Sequence, residues 1–398
     1  MERRGTETAG RMRSVGAHAV LGLLSALLGL LVGFGIWALL SLAYWLVDAV
    51  WGGLRGLTGG WLLFPVVVCT LGGAAIGLWN ARFHSAPKPL DQVMADVKAT
   101  GGYSVGRIAP SSVSFLLPIA FGGSVGPEAG LTGLIASGCT WVGERLKRAS
   151  TRLGVLASAA EAFPRASKLV LYPLGVAGGV AGAVLFTTLF GGGMALPRFD
   201  AIPWSVESLV WVLPLACAGC MLALLYGAAT RASRWLAGKL DRHPALQPVV
   251  CGLALGAAAL FLPNVLFPGS QQAVELMVTW TGLSSATLLL TGAVKTVFVA
   301  LCLGLGWSGG PFFPLLFCGI SFGYGIAGLT GLDPLLCVTV VATALIAGFS
   351  RKAAAAVVLV LLCFPLASLP WALAAMAMGL LLPAAGEALL KKTRKERM

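Results

Sequence analysis

Long apolar runs constrain this sequence more than any other feature. Four of them occupy residues 18–47, 61–79, 208–229 and 286–306. Each is long enough for the roughly 20 residues with which a helix crosses a bilayer. Charged residues make up only 11% of the 398-residue chain and hydrophobic residues 58%, whereas soluble proteins carry about 25% charged residues. The sequence therefore predicts an all-α polytopic membrane protein.

The charge distribution predicts how the chain lies in the membrane. Lys and Arg number 28 against 15 Asp and Glu, and many of the basic residues lie in segments 1–13 and 391–398. Basic flanks favour the cytoplasmic side of a membrane. We therefore expect both termini in the cytoplasm. The short tail after residue 391 indicates a compact, bacterial-type inner (plasma) membrane protein. The basic residues flank apolar spans and form no patch interleaved with aromatic residues, so nucleic acid is not an expected partner.

Two glycine- and proline-rich breaks interrupt the apolar sequence, "FGGSVGPEAGLTG" at 121–133 and "GLGWSGGPFFPLLFCG" at 304–319. Each joins an apolar segment to a second one through glycines and a proline suited to a first helical turn. Matching interruptions in two halves of a chain are typical of inverted-repeat transporters. The sequence thus predicts membrane halves at 1–228 and 247–398, joined by a polar connection at 229–246.

The composition of the breaks predicts an anion site. A helix that begins inside a membrane presents unpaired N–H groups and the positive end of its dipole. Gly122, Gly123 and Gly126 allow a sharp turn and a close approach to the backbone, and Pro127 presets the first helical φ. An anion in hydrocarbon needs several such donors, because its desolvation is otherwise prohibitive. Two facing breaks would supply them.

These motifs resemble those of a known family. "GGSVGPEAG" is similar to the Gly-x-Glu-Gly-Pro motif of the CLC (voltage-gated chloride channel) family, and "GGPFFP" at 309–314 is similar to its Gly-Gly-x-Phe-x-Pro motif. The segment 295–314 also resembles the family's approach to the second motif. The resemblance extends from about residue 62 to 380. It implies a CLC-like inverted-repeat architecture with many tilted and broken helices, and a homodimer with one pore per subunit.

Matched by position, the resemblance implies an anion pathway built from both breaks and a cytoplasmic loop. Its residues are Ser85, Gly123, Ser124, Val125, Gly126, Pro127, Gly310, Phe312 and Phe313. Ala86 is an alternative to Ser85 in the loop "HSAPKP". No tyrosine follows Tyr324, so the pore hydroxyl that the family carries near its C-terminus is missing or replaced.

Two departures from the family decide the predicted mechanism. Val125 stands where the family has its gating glutamate, and Thr188 or Leu189 stands where its exchangers have an inner glutamate. Valine can neither compete with an anion nor carry a proton. We therefore predict a passive, chloride-like anion channel without obligatory proton coupling. A proton-coupled or fluoride-type anion transporter is the alternative.

Three further residues have two interpretations each. Glu128 lies in a first helical turn, where a carboxylate ordinarily stabilises its own helix dipole; this reading is favoured over gating, because the position falls within the helix and not at its mouth. Lys295 lies in an apolar run, where a charge is costly. In the structural interpretation its side chain snorkels to the membrane surface or pairs with a carboxylate. In the functional one it raises the positive potential near the anion route. Pro311 lacks an N–H and removes one donor, or simply starts a helix.

Other classes of function remain open at this point. "GWSGG" at 306–310 fits Gly-x-Ser-x-Gly, so an intramembrane serine protease with Ser308 as nucleophile is conceivable. Such a serine needs a base, and the three histidines, His18, His84 and His243, all precede Ser308. The prediction is therefore not an enzyme. A non-transporting membrane scaffold is the third class. The sequence contains neither a metal-ligand cluster nor a nucleotide-binding loop, so no metal and no cofactor is expected.

Overall fold

The all-α prediction is confirmed. The computed structural model describes residues 2–83, 88, 90–103, 108–156, 158, 163–192, 196–203, 206–351 and 353–381. Helices make up 82% of the structure, and the described residues form no β-strand.

The helices follow one another with short connections. In chain order they are α1 (Glu2–Val47), α2 (Arg55–Leu57), α3 (Phe64–Phe83), α4 (Leu90–Thr100), α5 (Ile108–Ala120), α6 (Glu128–Arg152), α7 (Arg165–Phe190), α8 (Val206–Lys239), α9 (Gln247–Ala259), α10 (Ser270–Thr279), α11 (Ser285–Gly304), α12 (Phe312–Thr330), α13 (Pro334–Ser350), α14 (Ala353–Cys363) and α15 (Leu366–Leu381). A π-helical segment, Asp48–Leu54, joins α1 to α2.

Within the described ranges, six helical segments are long and apolar enough to cross a membrane. They are Gly16–Leu57, Phe64–Phe83, Ser167–Phe190, Ser208–Lys239, Ser285–Gly304 and Phe312–Thr330. The four apolar runs found in the sequence lie in α1, α3, α8 and α11. The chain is thus a multi-pass membrane protein, as predicted.

The chain forms two compact units, each assembled from separate segments. The first unit contains Met1–Trp45, Lys88–Ser112 and Ala129–Gly193, and the second contains Leu46–Pro87, Val113–Glu128 and Met194–Met398.

This grouping by compactness differs from the predicted division into halves at 1–228 and 247–398, which stays a prediction. The connection at 229–246 is less loop-like than its polar sequence suggests. It continues α8 as far as Lys239 and ends in a 3-10 turn, Pro244–Leu246.

The first unit is held together by close contact between α1 and α7. A Cβ added at Gly29, Gly33, Gly178 or Gly182 would collide with backbone atoms of the other helix. Small residues at such contacts are what allow membrane helices to approach closely. An apolar cluster buries Leu21, Val142, Leu146, Leu156, Phe163 and Leu171.

The second unit contains the second glycine-rich break and residues 121–128 of the first. Its largest apolar cluster is centred on α12 and α13, where an added Cβ at Gly319 would meet the backbone of Ala342. Helix α13 starts sharply, because Pro334 occupies its first turn and Asp333 accepts a hydrogen bond from the N–H of Leu336 (2.8 Å). This packing fixes the position of α12. It thereby also fixes Phe312, the first residue of α12, which lies within the second break.

Candidate functional site

The two breaks meet inside the second unit. The N–H of Gly126 donates to the carbonyl of Gly310 (2.7 Å), and the N–H of Gly310 donates to the carbonyl of Gly126 (2.8 Å). This pair is an isolated antiparallel bridge between two otherwise helical regions. The interrupted helices therefore end and restart at a common point, as the paired motifs predict.

Glycines produce each break by adopting conformations that other residues avoid. Gly122 has φ 81° directly after α5, and the N–H of Gly123 turns back to the carbonyl of Pro118 (2.7 Å). In the second break Gly306 has φ 90°, and the N–H of Trp307 bonds to the carbonyl of Cys302 (2.9 Å). Positive φ costs glycine nothing, which is why the chain can leave the helix in so few residues.

The carboxylate of Glu128 lies at the start of α12. Its Oε1 accepts a hydrogen bond from the N–H of Phe313 (2.6 Å). The N–H groups of Phe312 and of Glu128 itself also interact with the carboxylate. A Cβ added at Gly126 or Gly310 would collide with Oε2, so the carboxylate also rests against the bridge. This geometry corrects the expectation that Glu128 lies within its own helix and away from a helix mouth.

Helix α12 offers few free donors at its start. Pro311 precedes it and Pro314 occupies its third position, so neither supplies an N–H. The N–H of Leu315 already bonds to the carbonyl of Pro311 (3.0 Å). Phe312 and Phe313 therefore carry the two N–H groups of the first turn that face outward from the helix end. The Glu128 carboxylate interacts with both of them.

Val125 and Ser124 of the first break are both fully buried, but in different surroundings. Val125 is fully buried in an apolar cluster that includes Phe298, Leu305 and Trp307, and a Cβ at Gly309 would collide with it. Ser124 is fully buried too, and its Oγ has no hydrogen-bond partner in the described part of the chain.

The structure refines several other predicted positions. The N–H of Gly126 is used in the bridge and is not a free donor for an anion, so the place of Gly126 in the pathway stays a prediction. Pro127 lies between the bridge and α6. Thr188 and Leu189 are exposed on α7 in the first unit. Ser85 and its alternative Ala86 lie outside the described residues. Ser308 lies in the second break, two residues before the bridge.

Lys295 is fully buried in the middle of α11. Its Nζ donates to the carbonyls of Asn264 (2.8 Å) and Leu266 (2.7 Å) and to Oε1 of Gln272 (2.9 Å). Within the described ranges it forms no ion pair with a carboxylate. Within the described part of the chain, neither snorkelling nor an ion pair accounts for this residue. Sequence reasoning missed these partners, because two of them are backbone carbonyls and only Gln272 contributes a side chain.

Solved structures share this architecture. A CLC-type fluoride/proton antiporter matches 91% of this chain and 94% of its own with a TM-score of 0.65 and 17% identity. A slow cyanobacterial Cl⁻/H⁺ antiporter matches 96% and 98% with a TM-score of 0.67 and 17% identity. A eukaryotic CLC transporter matches 92% of this chain and 71% of its own, with a TM-score of 0.60 and 18% identity. At these identities the likeness concerns the fold.

The sequence comparison identifies the family. No curated protein matches the chain. The family model described as voltage gated chloride channel matches residues 154–383. The match covers more than half of the chain and includes the second break, whereas the first break lies outside it. Together with the fold, it shows that the chain belongs to the voltage gated chloride channel (CLC) family.

Proposed function

We propose that this protein carries chloride-like inorganic anions across the membrane through the site at the start of α12. The CLC family is a family of anion transporters and channels. The observation that carries the proposal is the hydrogen bond between Oε1 of Glu128 and the N–H of Phe313 (2.6 Å). It supports an anion-binding seat at the N–H groups of Phe312 and Phe313, because backbone amides hold a carboxyl group there.

The physical basis is the charge at a helix start. Unpaired N–H groups and the helix dipole give the first turn about half a positive charge, which favours anions. Pro311 and Pro314 limit this first turn to the amides of Phe312 and Phe313. The seat therefore selects by charge and size with few donors, and it suits a small inorganic anion better than a large, multiply hydrogen-bonded one.

In this proposal Glu128 is a tethered competitor for the seat. Its carboxylate and an entering anion need the same amides, so the anion binds only when the carboxylate leaves. Protonation removes the negative charge and weakens the hydrogen bond, since hydrogen bonds to charged groups contribute about 1.5–3 kcal/mol and neutral ones less. We therefore expect passive anion movement that accelerates as the pH falls.

Coupled exchange of anions and protons is the second candidate. The observation that favours it is again a carboxylate placed at the seat, because such a group can alternate between carrying a proton and blocking an anion. Against it, Thr188 and Leu189, which match the family's inner glutamate, cannot ionise. Passive movement is for this reason the preferred form of the proposal. Placement in the plasma membrane, cytoplasmic termini and a homodimer are part of it.

Anion flux from liposomes tests the proposal. Glu128→Gln keeps the size of the side chain and removes its charge, so we expect anion efflux at neutral pH to rise about tenfold and to lose its pH dependence. Glu144→Gln is the matched control, because Glu144 lies on the same helix with an exposed side chain. Equal, pH-independent efflux from wild type and Glu128→Gln would contradict the proposal. Uphill proton movement driven by a chloride gradient would establish coupled exchange instead.

A further inference from the structure

The Lys295 side chain is fully buried in the core of the second unit, in surroundings that suit an ammonium group. Three acceptor oxygens surround its Nζ at 2.7–2.9 Å. A neutral amine has only two N–H groups, whereas an ammonium has three. The ring of Phe317 lies 4.4 Å from the same nitrogen, in a cation–π arrangement. All these partners are neutral, so the buried cation is stabilised by carbonyl dipoles and an aromatic face.

One peptide group connects Lys295 to the first break. The carbonyl of Leu266 accepts from Lys295 Nζ (2.7 Å). The N–H of Phe267, which belongs to the same peptide group, donates to the carbonyl of Gly122 (3.1 Å). A cation on the oxygen polarises the group and strengthens its N–H as a donor, because hydrogen bonds in a chain reinforce one another. Through this peptide group Lys295 acts on Gly122, the residue of the first break that has a positive φ.

Strained backbone surrounds this peptide group. Phe267 has φ 66°, which is uncommon for a residue other than glycine. Such conformations persist where neighbouring contacts over-determine them. Trp51 supplies some of these contacts, since its ring lies edge-to-face on Phe267 (5.1 Å between centroids) and its Nε1 donates to the carbonyl of Ala120 (3.0 Å). The segment 264–272 is held in one conformation directly beside the first break.

We propose that Lys295 is a positioning residue that braces the two breaks against each other. It lies on α11, the helix that leads into the second break, and through the Leu266–Phe267 peptide group it fixes Gly122 in the first. The brace holds the bridge of Gly126 and Gly310 in register. This inference rests on the proposed function: by holding the bridge, Lys295 sets how tightly the seat at the start of α12 binds an anion. Lys295 itself does not contact that anion.

Hydrogen exchange of the full-length protein in lipid nanodiscs tests the brace. In Lys295→Met we expect the amides of 264–272 and 121–126 to exchange at least tenfold faster, because their shared constraint is lost. Lys239→Met is the matched control: Lys239 also lies over an aromatic ring, 3.7 Å from that of Trp235, but at the surface. Unchanged exchange in both segments of a folded Lys295→Met protein would overturn the proposal.

A second variant covers the case in which Lys295→Met does not fold. Gln272→Glu has the same shape but offers the ammonium a carboxylate, which draws it away from the carbonyl of Leu266. In Gln272→Glu we expect exchange in 121–126 to accelerate several-fold. In the double variant Gln272→Glu/Lys295→Gln we expect it to stay fast, because the ammonium is then absent altogether. Wild-type exchange in Gln272→Glu, or wild-type exchange restored in the double variant, would overturn the proposal.

Anion affinity separates positioning from simple structural support. In the folded variants the chloride concentration for half-maximal efflux should rise at least threefold, with the maximal rate less affected. Faster exchange with unchanged half-maximal concentration would overturn the role at the seat. If wild-type protein carried no anion, the proposed function would fail, whereas the exchange experiment would still decide whether Lys295 braces the breaks.

Discussion

The second unit buries an acidic and a basic side chain, Glu128 and Lys295, in different ways. Glu128 is held by N–H groups at a helix start, one of them from Phe313 at 2.6 Å, and rests against a glycine bridge. Lys295 is enclosed by two carbonyls, an amide oxygen and an aromatic ring. In the proposed function the carboxylate occupies a place that another anion takes, whereas all three donors of the ammonium have acceptors and it has no competitor. The first is then a replaceable ligand and the second a fixed support.

The largest expected effect comes from filling the space at the bridge. Gly310→Ala places a Cβ against the carboxylate of Glu128 and the bridge, so we expect anion efflux to fall by at least tenfold. Gly143→Ala is the control, since nothing lies within 4 Å of a Cβ at Gly143. Liposome efflux measures both. Wild-type efflux from Gly310→Ala would show that anions do not pass this point.

The next effect tests whether Val125 faces a pathway. Val125 lies in an apolar cluster with Trp307, so Val125→Glu buries an unpaired charge. We expect a loss of about 2–5 kcal/mol of stability, seen as a lower unfolding temperature. Val125→Gln separates size from charge and should lose less. A Val125→Glu protein of wild-type stability with pH-dependent efflux would instead place this side chain in an aqueous route.

The smallest effect concerns the number of donors at the seat. Pro311→Ala adds one N–H before α12, and we expect the half-maximal chloride concentration to fall about threefold, consistent with one modest hydrogen bond. Pro334→Ala makes the same change at the start of α13, away from the site. Equal shifts in both variants, or none in Pro311→Ala, would mean that donor number does not limit the seat.

The features that the sequence predicts well depend on local patterns. Apolar runs predict the membrane helices because length and composition alone decide whether a segment can span. The glycine and proline pattern predicts both breaks, because positive φ at Gly122 and Gly306 is available to few other residues. The matching motifs predict that the two breaks face each other, but not that Gly126 pairs with Gly310.

The features that it misses depend on distant contacts. Glu128 reaches an amide 185 residues away, and a helical position cannot reveal such a partner. The use of the Gly126 N–H in the bridge was hidden for the same reason. The partners of Lys295 are mostly backbone carbonyls, which leave no trace in side-chain identity. Two prolines around Phe312 and Phe313 were the available signal that only a pair of amides remains for an anion.

Anomalous diffraction from crystals grown in bromide tests the central claim most directly. In Glu128→Gln we expect a bromide peak within hydrogen-bonding distance of the Phe313 N–H, at the place that the wild-type carboxylate occupies, and we expect wild type at high pH to lack it. A Glu128→Gln crystal whose α12 start holds no bromide, although bromide is bound elsewhere along the protein, would contradict the claim that this carboxylate and a permeating anion share one seat.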